Sequence, residues 1–158
     1  MKIIRKIRRL ITKEKSDNSN DFDENNSLLN AFDQSELHIA CYDNNDVEIK
    51  KCISAGIDLN LQDKRGKTAL HYTVINNNYD AVYLLLSNKV IIDIEDHFGN
   101  YALWDAVLSC NGDFRIIEQL LLCSSDMNHK NINAQSVYDA VKLIGGQEMI
   151  QLFKRFRY

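Results

Sequence analysis

Residues 63–72 read DKRGKTALHY, and the pattern of this stretch returns 33 residues later in the chain. Three positions mark the return: Asp63, Gly66 and Leu70 recur as Asp96, Gly99 and Leu103. Self-similarity at a fixed period of this length is typical of stacked repeats, in which one copy cannot bury its apolar face without a neighbour. The sequence therefore predicts a stack of repeats that binds through an extended surface.

Four copies can be aligned on two helical positions. The first position is occupied by Ser35, Thr68, Tyr101 and Ser136, and the second by Ile49, Val82, Ile117 and Ile150. The steps are 33, 33 and 35 residues at the first position and 33, 35 and 33 residues at the second. Both series place one two-residue insertion between the helices of the third copy, around residues 109–113, where a surface loop absorbs it at little entropic cost.

Each copy carries the signals of two short helices. Thr68 precedes the first apolar segment as an N-cap, and we expect the neutral ring of His71 to hydrogen-bond the Thr68 hydroxyl or the loop backbone. The second helix places apolar residues at the i, i+3, i+4 spacing of one buried stripe. These residues are Val82, Leu85 and Leu86, then Ile117, Leu120 and Leu121. Gly56 follows the second helix of the first copy as a C′ residue, where positive φ costs glycine little.

These motifs resemble the ankyrin repeat. The resemblance rests on Asp63-x-x-Gly66-x-Thr68-Ala69-Leu70-His71, on SELHIA at residues 35–40, on AGIDLN at residues 55–60, and on Asp96-x-x-Gly99-x-Tyr101-Ala102-Leu103. It implies an all-α solenoid of about four helix-turn-helix repeats with degenerate terminal caps. The repeats would lie near residues 30–62, 63–95, 96–130 and 131–158.

Three departures from the family pattern carry expectations of their own. The chain has no proline, whereas the family usually has one in its Thr-Pro-Leu-His motif. Alanine at that place should make the first helical turn only slightly less stable, because proline there merely pre-sets φ. Ala134 stands where Gly66 and Gly99 stand in earlier copies, so we expect an altered turn there. Further leucines are replaced by Lys154, Arg155 and Arg157. This replacement predicts the polar outer end that a terminal repeat requires.

The resemblance also implies where the protein binds, because ankyrin proteins typically contact other proteins through finger-like turns and the exposed face of each first helix. The implied tip residues are Lys64, Arg65, Lys67, His97, Phe98 and Asn100, and the implied helix residues are Tyr42, Asp43, Ile75, Asn76, Leu108 and Ser109. Phe98 is the first candidate, because an apolar ring on a solvent-facing finger has no role in folding, whereas binding hot spots favour aromatic residues. The alternative is that Phe98 folds back onto Trp104.

The amino-terminal segments differ from the repeats. Residues 1–15 place Ile and Leu at helical spacing and carry seven Lys or Arg against Glu14, a local charge of +6. This predicts a basic amphipathic helix that caps the first repeat, stays loosely held, grips a partner or lies on an anionic membrane. Residues 16–27 predict a mobile polar linker, and residues 28–158 would form the repeat domain.

Composition excludes several classes of protein. With 158 residues, 45% of them apolar, the chain has room for about one domain. Its formal charge of −3 argues against a nucleic-acid binder. The sequence has no apolar run long enough to span a membrane and no secretory signal. The cysteines lack zinc-binding spacing and are predicted to be reduced core thiols of a cytoplasmic protein; they are Cys41, Cys52, Cys110 and Cys123.

The sequence indicates that the protein is not an enzyme, because it contains no phosphate-binding loop and no catalytic motif. We expect no metal and no cofactor. Two functions stay open. One is a non-catalytic module that masks a partner protein, such as an immunity protein or an inhibitor of a toxin or enzyme, and the acidic body would suit a basic target. The alternative is a targeting adaptor or secreted effector that recruits a host protein through the repeats, with residues 1–15 as its anchor.

Overall fold

The computed structural model describes residues 33–156, and these residues form eight α-helices. The helices are α1 (Glu36–Tyr42), α2 (Asp46–Ser54), α3 (Ala69–Ile75), α4 (Tyr79–Ser87), α5 (Ala102–Ser109), α6 (Arg115–Leu122), α7 (Val137–Ile144) and α8 (Gln147–Arg155). The predicted all-α fold is confirmed. The segments predicted at residues 1–15 and 16–27 lie outside the described residues.

The helices form four pairs that stack in chain order. Within each pair the first helix packs on the second, and the first helices α1, α3, α5 and α7 pack on one another in succession. The loop inside the first pair spans residues 43–45, and the loop inside the second spans residues 76–78. The loop inside the third pair spans residues 110–114, which confirms the predicted two-residue insertion.

The core is built from equivalent positions of successive repeats. Leu37, Leu70 and Leu103 are buried on the first helices. The stripes predicted on the second helices are confirmed, since Val82, Leu85, Ile117, Leu120 and Leu121 are buried and Leu86 packs partly buried against the same core. Burying a side chain of this size contributes about 1.5 to 3 kcal/mol. Stability is therefore spread along the stack rather than concentrated in one pair.

Two buried histidines join neighbouring repeats. Nδ1 of His71 accepts the backbone N–H of Thr68 at 3.1 Å, and Nε2 lies 3.2 Å from the carbonyl oxygen of Asn100 in the next repeat. His38 makes the equivalent contacts one repeat earlier, to the N–H of Ser35 and the carbonyl of Lys67, both at 3.1 Å. A neutral ring protonated at Nε2 satisfies both contacts. The predicted histidine role is confirmed and extends to the neighbouring repeat.

The last finger keeps the same turn as the others. Ala134 adopts a φ of +57°, close to +73° at Gly66 and +71° at Gly99. The expectation of an altered turn at Ala134 is therefore wrong. The reason lies in Asn131, whose Oδ1 accepts the backbone N–H groups two and four residues further on, at 3.0 and 3.1 Å. These bonds hold the turn although alanine is strained at positive φ.

Two further predictions can be compared with the structure. All four cysteines are free, and Cys41, Cys52 and Cys110 are buried as predicted. Cys123 is exposed, so its assignment to the core is wrong, because it caps the end of α6 beyond the last buried turn. Lys154 and Arg155 are exposed at the end of the last helix, as predicted, and Arg157, the third residue of that prediction, lies outside the described residues.

Candidate protein-binding surface

Three fingers project between the helix pairs, at residues 63–67, 96–100 and 131–135. Each finger begins with a side-chain oxygen that holds its own turn. Oδ1 of Asp63 accepts the N–H groups of Arg65 and Lys67 at 2.8 and 2.9 Å, and Oδ1 of Asp96 makes the same pair of bonds at 2.8 and 3.0 Å. Local hydrogen bonds of this kind fix a turn without support from a sheet.

The finger tips are linked to one another through their backbones. The N–H of His97 donates to the carbonyl oxygen of Arg65 at 3.0 Å, and the N–H of Ile132 donates to the carbonyl oxygen of Phe98 at 3.1 Å. The tips therefore form one continuous row, which we call the tip row. Its residues, in order, are Lys64, Arg65, His97, Phe98, Ile132 and Asn133.

The tip row presents two large apolar side chains to solvent. Phe98 is 58% exposed, so the alternative in which it folds back onto Trp104 does not hold. Ile132, beside it in the row, is 67% exposed and was missed by the sequence analysis. The signal was available, because Ile132 is the aligned equivalent of His97 at a step of 35 residues. Lys64, Arg65 and His97 are also exposed.

The exposed face of the first helices carries an apolar side chain at the same position of every repeat. These residues form the helix stripe: Tyr42, Ile75, Leu108 and Leu143, with exposures from 38% to 77%. Leu143 was also missed, although the step of 35 residues from Leu108 leads to it. Equivalent positions on packed helices lie side by side, about 8 to 10 Å apart. The stripe is therefore a surface that runs along the stack.

Several predicted contact residues already have partners inside the protein. The side-chain amide of Asn76 donates to the carbonyls of Cys41 and Tyr42 at 2.9 and 2.8 Å. The Ser109 hydroxyl donates to the carbonyl of Val74 at 3.1 Å. Oδ1 of Asn100 accepts the Asn131 amide at 2.9 Å. These side chains join neighbouring repeats, whereas Asp43 is exposed next to Tyr42.

The Lys67 side chain is largely buried and does not project from the finger tip. Its ammonium is 3.1 Å from Oδ2 of Asp96 and 2.6 Å from Oδ2 of Asp105, and its side chain is only 17% exposed. Burial disfavours the charged form of Asp96, but hydrogen bonds from the Asn100 and Phe98 backbone and the charge of Lys67 outweigh it and hold the pKa of Asp96 below its ordinary value. The Asp96 carboxylate therefore stays charged near neutral pH.

Charge is unevenly distributed over the described residues. Residues 33–156 contain eleven Lys or Arg and seventeen Asp or Glu, a formal charge of −6. None of the six residues of the tip row is acidic. Many of the exposed acids lie instead on the second helices and their flanking loops, at Asp46, Asp58, Asp80, Asp126 and Glu148. The net acidity that suggested a basic partner therefore does not describe the tip row.

Within residues 33–156, no group of three or more His, Cys, Asp or Glu side chains is arranged to hold a metal ion. None of the helices in this range is long and apolar enough to cross a membrane. The tip row and the helix stripe are the two candidate binding surfaces among the described residues.

Comparison with known proteins gives matches to repeat proteins. Residues 37–137, more than half of the chain, match the family described as ankyrin repeats, in three copies. The chain is 39% identical over 72 residues to the putative ankyrin repeat protein FPV034 of Fowlpox virus (strain NVSL), a match that covers 46% of this chain and 17% of that protein.

Two further relatives show similar partial matches. Serine/threonine-protein kinase 12 of Arabidopsis thaliana is 39% identical over 75 residues, which cover 46% of this chain and 16% of the kinase. The putative ankyrin repeat protein YahD of Escherichia coli (strain K12) is 29% identical over 82 residues, which cover 51% of this chain and 39% of that protein. The chain thus spans well under half the length of these relatives.

Proposed function

Because this chain belongs to the ankyrin repeat family, whose repeats are a protein–protein interaction module, we propose that it is a non-catalytic binder that masks part of a partner protein. The observation that carries the proposal is the helix stripe, in which every described repeat leaves an apolar side chain in solvent at the same position. Apolar side chains that stay in solvent do not stabilise the fold. Contiguous exposed apolar patches mark interaction sites.

The surface supports binding without a large entropic cost. The finger turns are fixed by Asp63, Asp96 and Asn131, and backbone hydrogen bonds join successive tips. A surface already held in one conformation loses little freedom when a partner arrives, and more of its contact energy becomes affinity. Masking by such a surface is the action of an inhibitor or an immunity protein. The free thiols suit a reducing, cytoplasmic setting.

The test is an affinity capture from the native cell with the full chain as bait. A Tyr42→Ala, Ile75→Ala, Leu108→Ala variant removes the helix stripe, and a Lys64→Ala, Arg65→Ala, Phe98→Ala variant removes the tips. The matched control is Val47→Ala, Tyr83→Ala, Leu122→Ala, which removes exposed apolar side chains of the second helices.

We expect one stoichiometric protein that is retained by the control and lost from at least one of the other two variants. The purified pair should form a 1:1 complex by light scattering, and the complex should suppress the activity of the partner. A partner that every variant retains would contradict the proposed surface. A partner whose activity is unchanged in the complex would contradict masking.

A second candidate is an adaptor, favoured by the local charge of +6 in residues 1–15. Polybasic segments are attracted to anionic membrane surfaces, so this segment would place the repeats near a membrane or a second partner. A variant that lacks residues 1–15 should then keep its affinity for the captured protein but lose its normal location in the cell. Unchanged location would exclude the adaptor.

A further inference from the structure

We propose that residues 1–15 bind across the outer face of the first helix pair and cap the stack. The outer face is the side of that pair on which no described repeat packs: Glu36, Ile39 and Asp43 on α1 and its C-cap, and Glu48 and Lys51 on α2. The proposal does not depend on the masking function. It bears on the adaptor, because a segment bound to its own repeats is withdrawn from a membrane or a second partner.

The outer face occupies positions at which the second pair contacts the repeat before it. Tyr72, equivalent to Ile39, lies edge-on to Tyr42 with 5.9 Å between the ring centroids. The side-chain amide of Asn76, equivalent to Asp43, donates to the carbonyl oxygen of Tyr42 at 2.8 Å. In the first pair the described residues supply no such neighbour. The outer face is therefore directed toward whatever packs on the stack from its amino-terminal end.

Burial at two further positions indicates the same direction. Glu36 is exposed, and the side chain of Glu48 is 41% exposed. The equivalent residues of the later pairs are all buried: Ala69, Ala102 and Val137 for the first position, and Ala81, Ile116 and Met149 for the second. A carboxylate covered by an apolar surface would lose its hydration without compensation. A basic segment, in contrast, can cover these two positions and pair with the acids.

The first helix pair holds most of the net negative charge of the described residues. Residues 33–58 contain six Asp or Glu and two Lys, a formal charge of −4, compared with −6 for the whole range 33–156. Residues 1–15 carry a charge of +6. The most basic part of the chain is thus complementary in charge to the part of the repeats that follows it most closely in sequence.

Two carboxylates of the outer face are available to a basic segment. Lys51 pairs with Glu48 at 3.0 Å, and an exposed pair of this kind contributes little. Lys50 is exposed beside it on α2. Glu36 and Asp43, in contrast, form no ion pair with any residue in the range 33–156. The basic residues of the face therefore lie on α2, and the available acids lie on α1 and its C-cap.

The apolar side chains of residues 1–15 also have a counterpart on the outer face. Ile39 is 38% exposed and lies between Glu36 and Asp43 in the i, i+3, i+7 order that places all three on one side of the helix. The segment places five apolar residues at helical spacing: Ile3, Ile4, Ile7, Leu10 and Ile11. An amphipathic segment can thus cover Ile39 with its apolar side and reach the two flanking acids with its Arg residues.

The intervening chain is long enough for this contact. Residues 16–32 separate the segment from Asp33. At about 3.3 Å per residue these 17 residues reach up to about 56 Å, whereas α1 and α2 are only about 10 and 14 Å long. A tether of this kind gives an effective concentration on the order of 1 mM, so even a weak contact within the chain is populated.

The experiment is hydrogen–deuterium exchange of the purified full chain, read by mass spectrometry for residues 1–15. One variant, Glu36→Lys with Asp43→Lys, reverses the charge of the outer face. A second variant reverses charges in the segment: Arg5→Glu, Arg8→Glu and Arg9→Glu. A third variant combines both sets. The matched control is Asp80→Lys with Glu148→Lys, which makes the same change of charge at exposed acids in the first turns of α4 and α8.

We expect the amides of residues 1–15 to exchange at least about 10-fold more slowly in the original chain than in either single set of charge reversals. The combined variant should recover most of this protection, because its reversed charges attract each other again. Loss of the fold would not produce such a recovery. The control should stay within about 2-fold of the original chain, and about 0.5 M NaCl should reduce the protection by screening.

Other results would overturn the inference. Residues 1–15 that exchange at the rate of an unfolded peptide, or that are protected equally in every variant, would contradict the contact with the outer face. Protection that increases with protein concentration would show a contact between two copies instead. Protection that appears only with vesicles of about 30% phosphatidylserine would show attachment to a membrane. The masking function fails separately, in the capture experiment, because the helix stripe is unchanged in all of these variants.

Discussion

The ammonium of Lys67 lies 2.6 Å from Oδ2 of Asp105, and the two residues belong to successive repeats. The same ammonium lies 3.1 Å from Asp96 at the start of the next finger. The equivalent positions one repeat earlier are Gln34, Tyr72 and Asp63, where the Tyr72 hydroxyl donates to the carboxylate at 2.5 Å. Equivalent positions thus use an ion pair in one repeat and a hydrogen bond from a hydroxyl to a carboxylate in the other.

Loss of the Lys67 ammonium should destabilise the stack. Lys67→Met would leave Asp96 and Asp105 without their cation, and we expect a loss of about 2 to 4 kcal/mol in the free energy of unfolding because both carboxylates are shielded from water. Urea unfolding followed by circular dichroism measures this. Lys51→Met is the control, since its exposed pair with Glu48 should contribute less than about 1 kcal/mol. Equal effects of the two variants would show that the buried network is not stabilising.

The two buried histidines should make stability depend on pH below neutrality. Burial lowers the pKa values of His38 and His71 below their ordinary value of 6.5. The folded state therefore binds fewer protons than the unfolded state, so stability is complete above pH 6.5 and falls as the pH decreases below it. A charged ring would also set a proton on Nδ1 against the N–H of Ser35 or Thr68.

We expect the free energy of unfolding to fall between pH 7 and pH 5 by at most about 1.4 kcal/mol per pH unit for each histidine. His71→Gln should be less stable at pH 7 and should show a shallower slope. Asp63 and Asp96 contribute in a separate window, because their pKa values lie below the ordinary 3.8 and their stabilisation is lost only as the pH falls below that value. An unchanged slope in His71→Gln would contradict the histidine mechanism.

Ala134 offers a stabilising substitution. Its φ of +57° is a conformation that costs a non-glycine residue about 1 kcal/mol or more, so Ala134→Gly should raise the free energy of unfolding by about 0.5 to 1 kcal/mol. Thermal unfolding should show a higher Tm. Ala140→Gly, within helix α7, is the matched control and should lower stability by about 1 kcal/mol. A loss of stability in Ala134→Gly would mean that the alanine methyl group contributes packing that outweighs its backbone strain.

Much of this fold could be predicted because the same sequence pattern recurs in several copies along the chain. The period placed every helix pair, and the N-caps and histidines followed from residues within one repeat. Lys67 was assigned to the finger tip because its partner Asp105 is 38 residues away and belongs to the next repeat. Ile132 was missed because its finger has Asn131 and Ala134 in place of Asp and Gly, so the turn that displays it was not identified.

The helix stripe should affect binding without affecting folding. Leu143 is 77% exposed at the end of α7, so Leu143→Ala removes little buried surface and should change the free energy of unfolding by less than about 0.5 kcal/mol. If the partner lies along the whole stripe, the same substitution should weaken its binding about 10-fold. Leu122→Ala is the control, because Leu122 is 62% exposed on the second helix α6. Calorimetric titration with the captured partner measures both variants. Equal affinities for Leu143→Ala and the original chain would show that the partner does not contact the fourth repeat. The contact would then be limited to Tyr42, Ile75 and Leu108.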